Sequence, residues 1–411
     1  MNIIKFFILS SLSIIQVSAL ELDYLSASKM FANNNADALV AFYEKQKANG
    51  DLITAKALPN PQFTFGATGL NTSNIYDHST SQQSYRLDWL MELGSKRAKR
   101  TEFAKINLAS ANSNYIDTMR NLFMLFTQQY YQTLKDKNYL DASQSTLVNY
   151  DKVLTVAKVK YEHGFLSEND FKKMQLARIS YQSDTMQSDL AYKNDISNIA
   201  FLLGVSKDEL TISEEKIEVT TPKPLKELQT QAFESRPDID AAQKNKEQSK
   251  VGIEIEKAKT IPDVDIGVEA DTVNGTPGTF LGVGFSLPIL VFDRNEGEIE
   301  KAKLSLLQSD ALYIKEKALI KSQVEQANED LKEKNHLYQA YAKQYEDAKK
   351  LLYDIQKSFA LKGISVLELL DAQNEFKEYE KNMLSSETDL LASEALLNLT
   401  IGSLPCEVKQ H

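Results

Sequence analysis

Residues 263–307 read DVDIGVEADTVNGTPGTFLGVGFSLPILVFDRNEGEIEKAKLSLL, and the spacing of apolar residues changes part-way along. At first Val264, Ile266, Val268 and Ala270 alternate with Asp263, Asp265, Gly267, Glu269 and Asp271. Then Leu281, Val283, Phe285 and Leu287 alternate with Phe280, Gly282, Gly284 and Ser286. A period of two with one wet side marks a strand, and Asn274-Gly275 and Pro277-Gly278 between the runs predict a hairpin. Beyond Gly297 the period lengthens to 3.5. Ile299, Leu306, Tyr313 and Ile320 fall seven apart, and a second column takes in Val324, Leu331, Tyr338, Tyr345, Leu352 and Phe359. That spacing, held over 65 residues (298–362) without Gly or Pro, predicts a coiled-coil helix about 100 Å long.

The same order stands about 200 residues earlier. Phe63, Phe65 and Ala67 alternate with Gln62, Thr64, Gly66 and Thr68; Tyr85, Leu87, Trp89, Met91 and Leu93 alternate with Ser84, Arg86, Asp88 and Glu92. A polar loop, 71–83, joins them. After Gly94 come 69 residues (95–163) without Gly or Pro, then Gly164, 39 more (165–203) and Gly204. The second half repeats this with Gly363, 38 residues (364–401) and Gly402. Ala55-Lys56-Ala57-Leu58-Pro59-Asn60 also matches Ala258-Lys259-Thr260-Ile261-Pro262-Asp263 at a shift of 203. Together these indicate an internal duplication. The last segment carries Leu369, Phe376, Met383, Leu390 and Leu397 beside the small Ala372, Ser386 and Ser393. The first long segment carries Met119, Phe126, Leu140, Leu147, Leu154 and Tyr161, a column interrupted by Thr133.

The expected plan is a signal peptide (1–19) and a first repeat (20–204) with an N-terminal helix, a β-hairpin (61–93) and a helical hairpin (95–203). A linker (205–224) leads to a second repeat (225–402) with a helix, a β-hairpin (263–291) and a helical hairpin (293–401), then a tail (403–411). Lys5, an apolar run of about 12 residues and Val17-Ser18-Ala19 read as a cleaved export signal. The remaining composition narrows the class. With 15 Gly and 9 Pro the chain has about half the usual punctuation, which argues against a many-looped enzyme. One Cys excludes an internal disulfide, and a net charge of -10 speaks against nucleic acid as a partner. The strands are about 9–10 residues, the length that crosses a membrane as β-structure. Barrels in lipid leave no open edge and begin at eight strands, so four strands require several copies. Two copies give eight strands and three give twelve; the arithmetic leaves both open.

Leu58-Pro59-Asn60-Pro61 and Glu92-Leu93-Gly94-Ser95-Lys96-Arg97 flank the first hairpin. Arg236-Pro237-Asp238 and Leu287-Pro288-Ile289-Leu290-Val291-Phe292-Asp293-Arg294-Asn295-Glu296-Gly297 stand in the second half. In order and spacing these resemble the TolC-like outer membrane efflux family, most closely its heavy-metal (CzcC-like) branch, over essentially the whole mature chain. The resemblance implies a mainly α fold with a membrane β part: a homotrimer sharing a twelve-stranded barrel in outer membrane lipid above a periplasmic helical tunnel. It implies an exit duct of a tripartite efflux system, with a periplasmic adaptor and an inner-membrane RND-type pump as partners and heavy-metal cations as cargo. The alternatives are drug or protein export through the same channel and, in another class, a soluble periplasmic coiled-coil scaffold.

No constellation supports an enzyme, a cofactor or a metal centre. His78, His163, His336 and His411 make no ligand or triad spacing, and Cys406 reads as a free thiol. The candidate site residues are acids. Glu168 and Asp170 follow the bend at Gly164; Glu368 and Asp371, three apart on one helix face, follow the bend at Gly363. By the resemblance these line the closed tip of the tunnel as a gate, without a basic latch, because Ser365 stands where some relatives carry a cation. Asp263, Asp265, Glu269, Asp271, Arg86 and Asp88 are expected in the barrel lumen. Lys96, Arg97, Lys99 and Arg100 crowd the start of a long helix, where positive charge opposes the dipole, and suggest a contact with lipid phosphate or a neighbouring copy. The other long helix is expected to open with a capping box, Asp293 with Glu296.

Overall fold

The computed structural model describes residues 20–69, 81–213, 223–361 and 363–408. The expected signal peptide lies outside them, as do parts of the first hairpin loop, the linker and the tail. The elements run twice through one series: two helices, a β-hairpin, a long helix and a shorter one. First come α1 (Tyr24–Asn34), α2 (Ala36–Lys56), β2 (Gln62–Thr68), β3 (Gln82–Met91), α3 (Lys96–Glu162) and α4 (Glu168–Leu203). The second series is α5 (Leu225–Ser235), α6 (Pro237–Ala258), β5 (Val264–Val273), β6 (Thr279–Ser286), α7 (Glu296–Leu361) and α8 (Val366–Thr400). Two short strands, β1 (Leu20–Leu22) and β4 (Leu210–Ile212), stand outside it.

The expected bends work by stopping helices. At Gly164 (φ 74°) the Gly164 N–H donates to the Tyr161 carbonyl at 3.0 Å and the Phe165 N–H to the Lys160 carbonyl at 2.8 Å, a Schellman cap. The same pair of bonds closes α4 at Gly204 and α8 at Gly402. The helices after the bends open on serines: Ser167 Oγ accepts from the Asp170 N–H and Ser365 Oγ from the Glu368 N–H. Pro237 begins α6 as a first-turn proline should. The capping box expected at α7 does not form. The Asp293 carboxylate accepts from the Asn295 N–H at 2.8 Å, and Asn295 itself (φ 63°) caps the helix, its carbonyl receiving the Ile299 N–H.

The described residues form two compact units, one drawn from the ranges 1–38, 120–227 and 324–411, the other from 39–119 and 228–323. In the first, Phe31, Phe123, Phe126 and Tyr130 are wholly buried, with the Phe31 and Phe126 rings stacked at 4.6 Å. Thr133, read as a break in the column, is equally buried: its hydroxyl donates to the Gln129 carbonyl at 2.7 Å, so the seam continues through it. Leu369, Leu390 and Leu397 are buried along α8 beside Ala372, Ser386 and Ser393, as the spacing predicted. Near the bends Ala157, Met174, Phe359, Val366 and Leu369 form one cluster. The linker is not free at its start. β4 pairs in parallel with β1, Ile212 is buried, and Lys137 Nζ and Tyr130 OH donate to the carbonyls of Ile212 and Leu22. In the second unit the strands form one antiparallel sheet in the order β2-β3-β5-β6.

Candidate functional site: a one-sided sheet and two acidic bends

The register sorts the sheet into two faces. Arg86 lies opposite Glu269, Asp88 opposite Gly267, Ser84 opposite Asp271 and Leu90 opposite Asp265, so the polar residues of the two central strands share one side. Arg86 Nε donates to both oxygens of Asp88 (2.7 and 2.9 Å), and its guanidinium lies 3.8 Å from Glu269. Gly267 makes room for this pair, since a Cβ there would stand 2.5 Å from Asp88 Oδ1. On this face four acids therefore stand against one cation. The other face carries Phe63, Phe65, Tyr85, Leu87, Trp89, Met91, Val268, Val283 and Phe285, all exposed. Among the described residues nothing covers that face, and β2 and β6 each keep one edge without a strand partner. Asp263 departs from its expected place. It precedes β5, accepts the Leu93 N–H at 2.9 Å and pairs with Lys96 Nζ at 2.8 Å, tying the end of one hairpin to the start of the other.

The basic cluster is largely spent inside the chain. Besides the Lys96 pair, Lys99 Nζ donates to the Glu254 carbonyl at 3.1 Å. Arg100 grips Glu92 with two bonds (2.6 and 3.3 Å) and reaches the carbonyls of Ala55 and Ala57. Only Arg97 of the four is exposed without an ion pair among the described residues.

At the first bend both acids are paired on their own helix. Lys172 Nζ donates to Glu168 at 2.6 Å and holds that carboxyl below its ordinary value. Asp170 is lowered too, first by the Ser167 hydroxyl at 2.8 Å and then by Lys173 at 3.4 Å. Glu368 and Asp371 are exposed, and neither side chain meets a cation among the described residues. Sequence reading missed a groove of about 260 Å³ lined by Tyr139, Thr146, Tyr181, Asp184, Lys377 and Glu380. Lys377 pairs with Asp184 at 2.5 Å there, and burial raises the Glu380 carboxyl above its ordinary value. These residues come from three helices, so no local spacing announces them. Among the described residues no group of His, Cys, Asp or Glu could hold a metal ion, and no helix is long and apolar enough to cross a membrane.

Residues 228–403 match the model of the family described as Outer membrane efflux protein. The chain is 23% identical over 384 residues to Nodulation protein T of Rhizobium leguminosarum bv. trifolii, covering 87% of this chain and 80% of that one. It is 19% identical over 279 residues to the cobalt-zinc-cadmium resistance protein CzcC of Cupriavidus metallidurans, covering 67% of this chain and 65% of that one. Its fold is that of the MtrE outer membrane channel of Neisseria gonorrhoeae, solved in an open state, with a TM-score of 0.75 at 16% identity over 95% of this chain and 93% of that one. Over its second half, then, the chain matches the outer membrane efflux protein family. The family matched and the solved neighbour are outer membrane efflux proteins and not enzymes. In barrels that span lipid the apolar face is the outward one.

Proposed function

We propose that this protein is the exit duct of a tripartite efflux system. Three copies share a twelve-stranded barrel, and an adaptor and an RND-type pump of the inner membrane deliver the cargo. The observation that carries this is the four-stranded sheet, apolar on one face and acidic on the other, which among the described residues has that apolar face bare and both edges unpaired. Only closure with further copies satisfies those edges in lipid. Purified protein added to planar bilayers is expected to give discrete conductance steps and to run as a trimer in mild detergent. A monomer, or a bilayer that stays silent, overturns the reading.

The cargo follows from charge. Asp88, Asp265, Glu269 and Asp271 stand with Arg86 on the polar face, and Glu368 and Asp371 add carboxylates beside the second bend that meet no cation among the described residues. Repeated by symmetry, such rings favour cations. CzcC, a cobalt-zinc-cadmium resistance protein, supports metal cations as the class. A deletion strain is expected to lose tolerance to cobalt, zinc or cadmium; sensitivity to drugs alone would assign the duct to another pump. For the gate, Glu368→Ala with Asp371→Ala is expected to raise single-channel conductance and to abolish block by multivalent cations.

A further inference from the structure

The segment leaving β6 is apolar and bare: Ile289 is 82% exposed and Phe292 102%, and Leu287 and Val291 are open as well. Asp293 and Arg294 follow, exposed and without an ion pair among the described residues. Beside the start of β2 lies a cleft of about 840 Å³, the size of a ligand pocket. Leu58, Trp89 and Met91 give it an apolar side, and Arg97, Glu102 and Lys105 a charged one. Those three charged residues are exposed and likewise make no ion pair among the described residues. The molecule thus holds an apolar strap followed by one acid and one base, and a half-apolar cleft carrying, besides the paired Lys96 and Glu92, two bases and one acid that have no ion pair among the described residues.

Strand direction brings the two together between copies. In the order β2-β3-β5-β6 every neighbour is antiparallel, so β2 and β6 run in opposite directions. When β6 of one copy pairs with β2 of the next, the pair is antiparallel, and the end of β6 meets the beginning of β2. Residues 287–294 are thereby delivered to the next copy's residues just before β2, where Leu58 opens the cleft. We propose that the strap 287–294 of each copy docks in the cleft of the next. Ile289 and Phe292 cover Leu58, Trp89 and Met91, while Asp293 faces Arg97 and Lys105 and Arg294 faces Glu102. The strap is then a clasp at the base of the barrel, made of side chains from two copies. It rests on the shared-barrel reading and goes beyond it by naming the surfaces.

The test is a cross-link in outer membranes. Cys406, the one cysteine, is first replaced by Ser, and Phe292→Cys is combined with Leu58→Cys. Oxidation or a short bismaleimide is expected to convert most of the monomer band into a ladder ending at the full oligomer. Phe292→Cys with Thr276→Cys, in the turn at the far end of the hairpin, is expected to give no ladder. Native mass spectrometry of the same samples reports assembly separately. An intact oligomer without cross-link overturns the clasp and leaves the barrel; monomer alone overturns the barrel reading. Labelling of Phe292→Cys by a lipid-confined probe, with no cross-link, would give the strap to the membrane and also overturn the clasp. A second arm avoids the cysteines. Arg97→Glu with Lys105→Glu is expected to lower the temperature at which the oligomer dissociates, and adding Asp293→Lys is expected to restore it. Absence of that restoration overturns the charge pairing.

Discussion

At the first bend, Glu168 and Asp170 are met by Lys172 and Lys173 one turn along their own helix; at the second, Glu368 and Asp371 meet no cation among the described residues. The long helices differ in the same sense. α3 opens with Lys96, Lys99 and Arg100 anchored on Asp263, Glu254 and Glu92, whereas α7 opens with Glu298 and Glu300 paired only to Lys301 and Lys303 on an open surface. The two halves share glycine stops, serine caps and left-handed entries at Ser95 and Asn295. Duplication has kept the backbone devices and released the charges. The first half pairs its bend acids and most of its helix-entry charges within the chain, leaving Arg97, Glu102 and Lys105; the second leaves Asp293, Arg294, Glu368 and Asp371 without an ion pair among the described residues.

The largest test of that contrast is at the helix entries. Arg100→Ala leaves the half-buried Glu92 carboxylate and two backbone carbonyls without their donor, and is expected to cost about 3 kcal/mol in thermal unfolding of the detergent-purified protein. Lys303→Ala removes only an exposed pair, expected within about 0.5 kcal/mol. Equal costs would break the comparison. Next comes the tip. Glu368→Gln with Asp371→Asn is expected to weaken multivalent-cation block roughly tenfold, equivalent to about 1.4 kcal/mol. Glu168→Gln with Asp170→Asn is expected to change it about twofold at most, because Lys172 and Lys173 already offset those acids. Removing both lysines sharpens the point: Lys172→Ala with Lys173→Ala is expected to strengthen the block.

The smallest effects are in pH. Glu168 and Asp170 are held low in the folded chain, so what they add is present above ordinary carboxylate values and is lost as pH falls through their depressed ones. Glu380, raised by burial and only partly relieved by Thr146 and Lys349, has the opposite sign. Between its ordinary value of 4.5 and its raised folded one, the fold binds the proton more tightly, so stability falls as pH rises through that window. Glu380→Gln is therefore expected to raise the unfolding temperature at pH 7 and leave it nearly unchanged at pH 4.

Periodicity made the long elements legible. The alternation in 263–287 and the heptads after Gly297 fixed strands and helices to within a few residues, and the isolated glycines marked where helices stop. The alternation also sorted the residues into two faces, but not the register: a slip of two residues keeps Arg86 and Asp88 on the side of Glu269, so their actual partners were not legible. What sequence could not show were contacts between distant residues with no local pattern. β1 and β4 are three residues each, too short to carry a period, and they meet across some 190 residues of chain. The lysines and arginine of α3 read as an unfinished surface because their partners, Glu254, Asp263 and the carbonyls of Ala55 and Ala57, lie on other elements. Asp263 sits in phase with the wet face and falls one residue short of the strand that would have put it there.

One arithmetic property of the sheet reaches beyond its chemistry. Among the described residues each half supplies one hairpin to the sheet, which so holds an even number of strands, and in the proposed barrel up follows down across every seam to the next copy. An odd count would force two strands of the same direction together at every seam. A hairpin is the smallest piece that can be copied, lost or exchanged without disturbing that alternation. In the proposed barrel, six half-length chains would close the same ring of strands as three of these, and that ring is indifferent to where the covalent links between hairpins fall.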